Sequence, residues 1–244
     1  MQHHRTPKHF GSLARLFRSL ILTWAMAVPA LVAAPAAAGS ADAQPKATQA
    51  APSALFAEVR VGDLVFTRID VLPFREVAAA TGTWTNHVGI VIGRDGTMPL
   101  IAESTFPRAR ITSMDDFVRR SEDGRVAVLR LPTILDAPAE ARLRAAADRR
   151  LGVLYDTGFD LHSQRQFCSR FVHEVIEEAV GEPVGEVQTL AELFERNPQA
   201  RLAFWRTWYL GSIPWTRQTI TPASLLSNPR LRPVFDGRMA LGAN

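Results

Sequence analysis

His87-Val-Gly-Ile-Val-Ile-Gly93 is a β-branched run closed by the turn residues Arg94-Asp95-Gly96, and Leu100-Ile-Ala-Glu103 follows as its hairpin partner. Upstream, Val61-Gly-Asp-Leu-Val-Phe-Thr67 is a Gly-Asp turn running into a short apolar strand. Downstream, Arg110-Ile-Thr112 and Val126-Ala-Val-Leu-Arg-Leu131 read as two more strands, the second stopped by Pro132. Between them Ser113-Met-Asp-Asp116 carries a helix-capping signature, the Ser oxygen accepting an orphan amide. Residues 74–80 are ambiguous, with a helical turn as one reading, and Thr81-Gly-Thr83 breaks them. From Asp136 the period becomes helical. Asp136 caps, Pro138 sits in the first turn, and Ala139, Leu143, Ala146, Ala147 and Leu151 share a face. After a loop with Gly152, Tyr155, Asp156 and Gly158, the residues Phe171, Val172, Val175, Ile176 and Ala179 repeat at helical spacing up to Gly181. Thr189-Leu-Ala-Glu192 is a capping box, and Thr221-Pro-Ala-Ser-Leu-Leu226 starts a short helix before an irregular tail. Strands cluster early and helices late, which predicts an α+β fold around a small, largely antiparallel sheet.

The 244 residues, 47% hydrophobic and 21% charged, suffice for one domain with a real core plus a leader. Four of the 28 basic side chains (Arg5, Lys8, Arg15, Arg18) and one of the 24 acidic ones (Asp42) precede residue 44. The body is therefore close to neutral and offers no electrostatic footprint for nucleic acid. Residues 1–43 read as a signal peptide. A basic region to Arg18 precedes an apolar stretch from Leu20 to Ala34, and Ala41-Asp42-Ala43 fits an A-x-A cleavage site. Pro29 and Pro35 argue against a well-formed spanning helix, with an uncleaved signal anchor as the alternative. Residues 44–57 look like a flexible linker and 58–244 like the folded domain, periplasmic or secreted.

Cys168 is the single cysteine, so an intramolecular disulfide framework and a cysteine-rich zinc site are both excluded. It stands at the start of the Ser169–Val180 helix, where unpaired amides and the helix dipole favour a thiolate and could hold an oxyanion. An inert core cysteine and an intermolecular cross-link are the plain alternatives. A thiol nucleophile needs a base, and outside the leader only His87, His162 and His173 are available. His173 lies five positions after Cys168, about 140° round the helix, and points away from it. His162 is in a loop. His87 heads a strand, where it can project toward a helix N-terminus or simply face solvent. Glu103, sixteen positions on, could fix one imidazole nitrogen and free the other as base; its alternative is a solvated hairpin residue. Phe204-Trp205, Trp208-Tyr209 and Trp215 form an aromatic cluster, either core or interface or an apolar wall for an acyl or membrane-facing substrate. No His-Glu-x-x-His, Gly-x-Ser-x-Gly or phosphate-binding loop is present.

Gly62-Asp63-Leu-Val-Phe66, Asn86-His87-Val-Gly-Ile90, Ala102-Glu103, Leu151-Gly-Val-Leu-Tyr155-Asp156 and Phe167-Cys168-Ser169, in that order, resemble the permuted papain-like cysteine hydrolases. Within the NlpC superfamily the chain is most similar to the YiiX/YebB-like group. The likeness spans about residue 58 to Thr189, with Thr221-Pro-Ala-Ser-Leu225 as a further shared element. It implies a circularly permuted papain-like architecture, with Cys168 as nucleophile, His87 as base, Glu103 as the third catalytic residue and Tyr155 near the substrate cleft. Arg170 and His173 depart from the acidic and aromatic residues expected on the cysteine helix, which bears on substrate preference.

These readings converge on an exported thiol hydrolase that cleaves an amide or ester through an acyl-thioenzyme on Cys168, with no cofactor and no metal. The resemblance implies a cell-wall peptide or a lipid-derived acyl group as substrate, and contact with a membrane surface stays open. No obligate protein partner is implied. A non-catalytic envelope-binding module with the same fold is the alternative.

Overall fold

The computed structural model describes residues 48–50 and 52–240; the expected signal peptide lies outside them. In chain order the elements are β1 (Thr48–Ala50), α1 (Pro52–Glu58), β2 (Leu64–Ile69), α2 (Leu72–Thr81), β3 (His87–Asp95), β4 (Met98–Glu103), β5 (Arg110–Ser113), α3 (Met114–Arg119) and β6 (Ser121–Arg130). There follow α4 (Ala137–Asp148), α5 (Cys168–Val180), β7 (Val187–Thr189), α6 (Leu190–Arg196), α7 (Leu202–Trp208), β8 (Gln218–Ile220), α8 (Pro222–Leu226) and β9 (Arg232–Met239).

Seven strands form one sheet in the order β1-β9-β6-β2-β3-β4-β5, antiparallel throughout except where β1 runs parallel to β9. The strand period of two sends alternate side chains to two cores. Leu64, Phe66, Val88 and Ile90 pack under α4 and α5 against Leu143, Phe171 and Ile176. Val65, Val91, Ile101 and Val128 pack on the other face against Leu55, Met114 and Phe117 of α1 and α3. A third cluster of Leu190, Leu193, Phe194, Trp205 and Ile213 gathers α6 and α7 beside Ala80 of α2.

Local chemistry sets the helix ends. Ser113 accepts the Asp116 amide at 3.0 Å and Asp136 the Ala139 amide at 2.8 Å. Thr189 and Glu192 close a reciprocal capping box. Gly181 ends α5 in the left-handed conformation that suits glycine.

The α+β expectation agrees with this architecture, and two finer expectations need correction. Part of the segment read as a linker is folded: β1 pairs with β9, and Leu55 and Phe56 of α1 are buried. The C-terminal stretch read as an irregular tail contains β9, which pairs along β6. The ambiguous segment at 74–80 lies within helix α2.

Candidate active site

Three chain positions converge because each stands at the end of an element. His87 opens β3, Glu103 closes β4 and Cys168 opens α5. Ile90 pairs with Ala102, so the register puts Glu103 on the diagonal from His87, within reach on the same sheet face. The Asn86 side chain fixes the entry to β3, accepting the Ile69 amide at 2.7 Å and donating to the Ile69 carbonyl at 3.1 Å. Cys168 is delivered from the opposite core by α5, and its Sγ lies 4.0 Å from the carbonyl oxygen of Asn86.

His87 Nε2 and Glu103 Oε2 are 2.6 Å apart, and both side chains are buried. Nδ1 carries no regular hydrogen bond and lies beside the Cys168 thiol. Burial opposes charging the imidazole, but interactions with Cys168 and then Glu103 overcome it and raise His87 from 6.5 to about 9. Burial likewise opposes ionising Glu103; the His87 contact and the charges of His87 and Arg120 outweigh it and lower the carboxyl to about 2. A buried carboxylate is costly unless paired. Here its second oxygen accepts from Arg120 Nη2 at 2.7 Å and Arg110 Nε at 3.2 Å. Phe117 stacks on the imidazole at 5.4 Å between centroids and Phe74 meets it edge-on at 6.1 Å. Gly89 makes room for this stack, since a Cβ there would stand 2.4 Å from Ile101 and 2.9 Å from Phe117.

The N-cap of α5 is Phe167, whose side chain cannot accept, so among the described residues no side-chain cap satisfies the first-turn amides next to the sulfur. The Tyr155 hydroxyl is buried without a regular hydrogen bond; burial, reinforced by Cys168, pushes it well above its ordinary value. Beyond Tyr155, the Asp156 carboxylate accepts the amides of Gly158 and Asp160 at 2.8 and 3.0 Å, shaping the loop. Trp208 Nε1 and the Tyr209 hydroxyl donate to the carbonyls of Thr157 and Gly158 in that loop.

A narrow apolar cavity of about 30 Å³ opens beside Cys168. Val77, Phe159, Leu190, Phe194 and Trp205 wall it. Of the late aromatic cluster, Trp205 is both core and cavity wall, Tyr209 also lines the cavity, and Trp215 is exposed.

Among the sequence candidates, the structure brings His87, Glu103, Tyr155 and Cys168 together. His162 is exposed and bonds Gln218 at 2.8 Å; His173 is held by the Val184 carbonyl at 2.7 Å. Neither histidine contacts Cys168 among the described hydrogen bonds. Arg170 spans from Glu174 to the carbonyls of Ser163 and Arg165, tying down the loop before Cys168. The sequence reading missed Arg110, Arg120, Phe74 and Phe117. The Glu103–Arg110 register of β4 and β5 was open to hairpin reasoning; Arg120 left no such signal.

The solved structure of yiiX from Escherichia coli O157:H7, described as a metalloprotein, superposes with a TM-score of 0.68 at 27% identity. The match covers 73% of this chain and 98% of that one. The uncharacterized protein YiiX of Escherichia coli (strain K12) is 29% identical over 175 residues, 72% of this chain and 85% of that protein. Residues 58–235 match the family model described as permuted papain-like amidase enzyme, YaeF/YiiX, C92 family. That match begins just before β2 and runs into β9, enclosing the whole His87–Glu103–Cys168 cluster, and the chain belongs to this amidase family.

Proposed function

We propose that the chain is an exported thiol hydrolase that removes an apolar acyl group from an amide or ester through an acyl-thioenzyme on Cys168. The amidase family supplies the reaction class. The cavity walled by Phe159, Phe194 and Trp205, opening on the sulfur, carries the choice of an apolar acyl chain over a wall peptide. The leader-like residues 1–43 support export.

In this reading the Cys168 thiolate attacks the carbonyl carbon while His87 holds the thiol proton as imidazolium. First-turn amides of α5, with the Tyr155 hydroxyl, receive the negative charge on the carbonyl oxygen. His87 gives its proton to the departing nitrogen or oxygen, and a thioester remains. Neutral His87 then takes a proton from water, the hydroxide attacks the thioester, and the carboxylic acid leaves as the thiol is restored. Glu103 keeps Nε2 engaged, so Nδ1 does the proton work.

The residues do not fit a metal. His87 Nε2 is taken by Glu103, and the other Glu103 oxygen is taken by two guanidinium groups. Among the described residues no group of three or more His, Cys, Asp or Glu stands together as ligands.

The test is to incubate the protein with p-nitrophenyl esters of graded acyl length and with envelope extract, then weigh Cys168-containing peptides. An acyl adduct on Cys168 that accumulates with apolar chains supports the reading. Adducts of peptide mass only, or none, overturn it.

A further inference from the structure

We infer that Arg120 is a positioning residue of this site, holding Glu103 Oε1 so that Oε2 stays an oriented, ionised acceptor for His87. The inference rests on reading Cys168, His87 and Glu103 as the reacting constellation. Arg120 is the C-cap of α3, and its Nε donates to the Asp116 carbonyl at 3.3 Å, so the helix end places the guanidinium. From there Nη2 reaches Glu103 Oε1 at 2.7 Å. The same guanidinium lies over the Phe117 ring at 5.1 Å, and that ring stacks on His87. Arg120 therefore touches both supports of the imidazole, the carboxylate on its edge and the phenyl on its face. Arg110 meets the same oxygen at 3.2 Å from a half-exposed side chain and has no contact with the stack among the described interactions.

The groups facing the Glu103–His87 pair are Arg110 from β5 and Arg120 from the α3–β6 junction on the carboxylate, Cys168 from α5 on the imidazole, and the Tyr155 hydroxyl from the loop before α5. Only the two arginines stay positive at every working pH. Without Arg120, the buried Glu103–His87 pair loses a fixed charge that disfavours protonating the carboxyl, and the acceptor's second oxygen is less firmly held.

The experiment measures the rate of Cys168 alkylation by iodoacetamide across pH, with melting curves, for Arg120→Met, Arg120→Lys, Arg110→Met and His87→Ala. Arg120→Met is expected to move the acid limb of the profile upward by about one pH unit. Arg120→Lys, which keeps the charge without the fork, should recover part of that shift, and Arg110→Met should move it less. A profile for Arg120→Met that superimposes on the parent, or falls by one factor at every pH, overturns the assignment. So does an equal or larger shift in Arg110→Met. Should the Met variant not fold, Arg120→Lys decides: a small upward shift supports the role and a superimposable profile refutes it. His87→Ala separates the two levels. If its profile is unchanged, the reading of the constellation fails; if it changes while Arg120 variants are silent, only the Arg120 role fails.

Discussion

Two walls meet at Cys168, and they are built from opposite chemistry. The sheet wall is polar, and its Glu103 carboxylate is spent on His87, Arg110 and Arg120. The helical wall of α2, α6 and α7 is apolar, with Phe194 and Trp205 offering contact area and few polar groups. A polar wall orients groups and sets protonation, because each buried charge there has a fixed partner. An apolar wall selects by shape and area. Under the proposed function, the sheet would govern reactivity and the helices would govern what reacts.

The division is tested hardest at the seam. Cys168→Ala should abolish turnover on every acyl substrate while the protein stays folded, at a stability cost of about 1 kcal/mol. Circular dichroism and an ester assay check this, and loss of folding would make Cys168 a core residue instead. His87→Ala should lower kcat by about 10²- to 10⁴-fold and suppress the reactive thiolate, while His162→Ala and His173→Ala leave alkylation unchanged. A silent His87→Ala paired with a damaging His162→Ala would relocate the base to a loop.

On the sheet wall, Glu103→Ala should cost about 100-fold in activity and Glu103→Gln less, since the amide still accepts from the imidazole. The same carboxylate leaves a mark on stability. His87 is raised from 6.5 to about 9, so its contribution is full below 6.5 and is lost as pH climbs through about 9. Glu103 is lowered from 4.5 to about 2, so its contribution is full above 4.5 and is lost as pH falls through about 2. The melting-temperature advantage of the parent over Glu103→Gln should therefore be greatest between 4.5 and 6.5 and shrink on both sides. An advantage flat across pH would mean the pair does not ionise as described.

The smallest effect belongs to the helical wall. Trp205→Ala should cut kcat/KM roughly tenfold for long acyl chains, about 1.4 kcal/mol, and spare short ones. Its alkylation profile should match the parent, and a shifted profile would show that the two walls are not separable.

How much of this was legible before the structure depends on how local the signal is. The β3–β4 hairpin and the caps at Ser113, Asp136 and Thr189 rest on neighbours in sequence, and they were read correctly. β9 was missed because Arg232-Pro-Val-Phe-Asp-Gly-Arg-Met239 mixes Pro, Gly and charge; its strand state comes from pairing with β6 about a hundred residues earlier. α1 was hidden by an Ala- and Pro-rich composition that resembles a tether. Cys168 stood out as the single cysteine, and the family resemblance singled out His87 from three histidines and Glu103 from many acidic residues. Arg120 did not stand out, because the chain is rich in arginine and the residue's partner lies 17 positions away across a strand and a helix.

The three residues of β1 have a practical consequence. They occupy the outer row of backbone groups on β9, at the margin of the sheet far from β4 and β5. A shortened chain starting at residue 58, where the family match begins, would leave that row open. It would also lose α1, whose Phe56 carbonyl accepts from Arg94 at 2.7 Å. An uncovered strand margin is a template for pairing with another molecule. Trimming to the matched region should thus yield a protein that self-associates, and retaining residues from 48 onward should keep it dispersed.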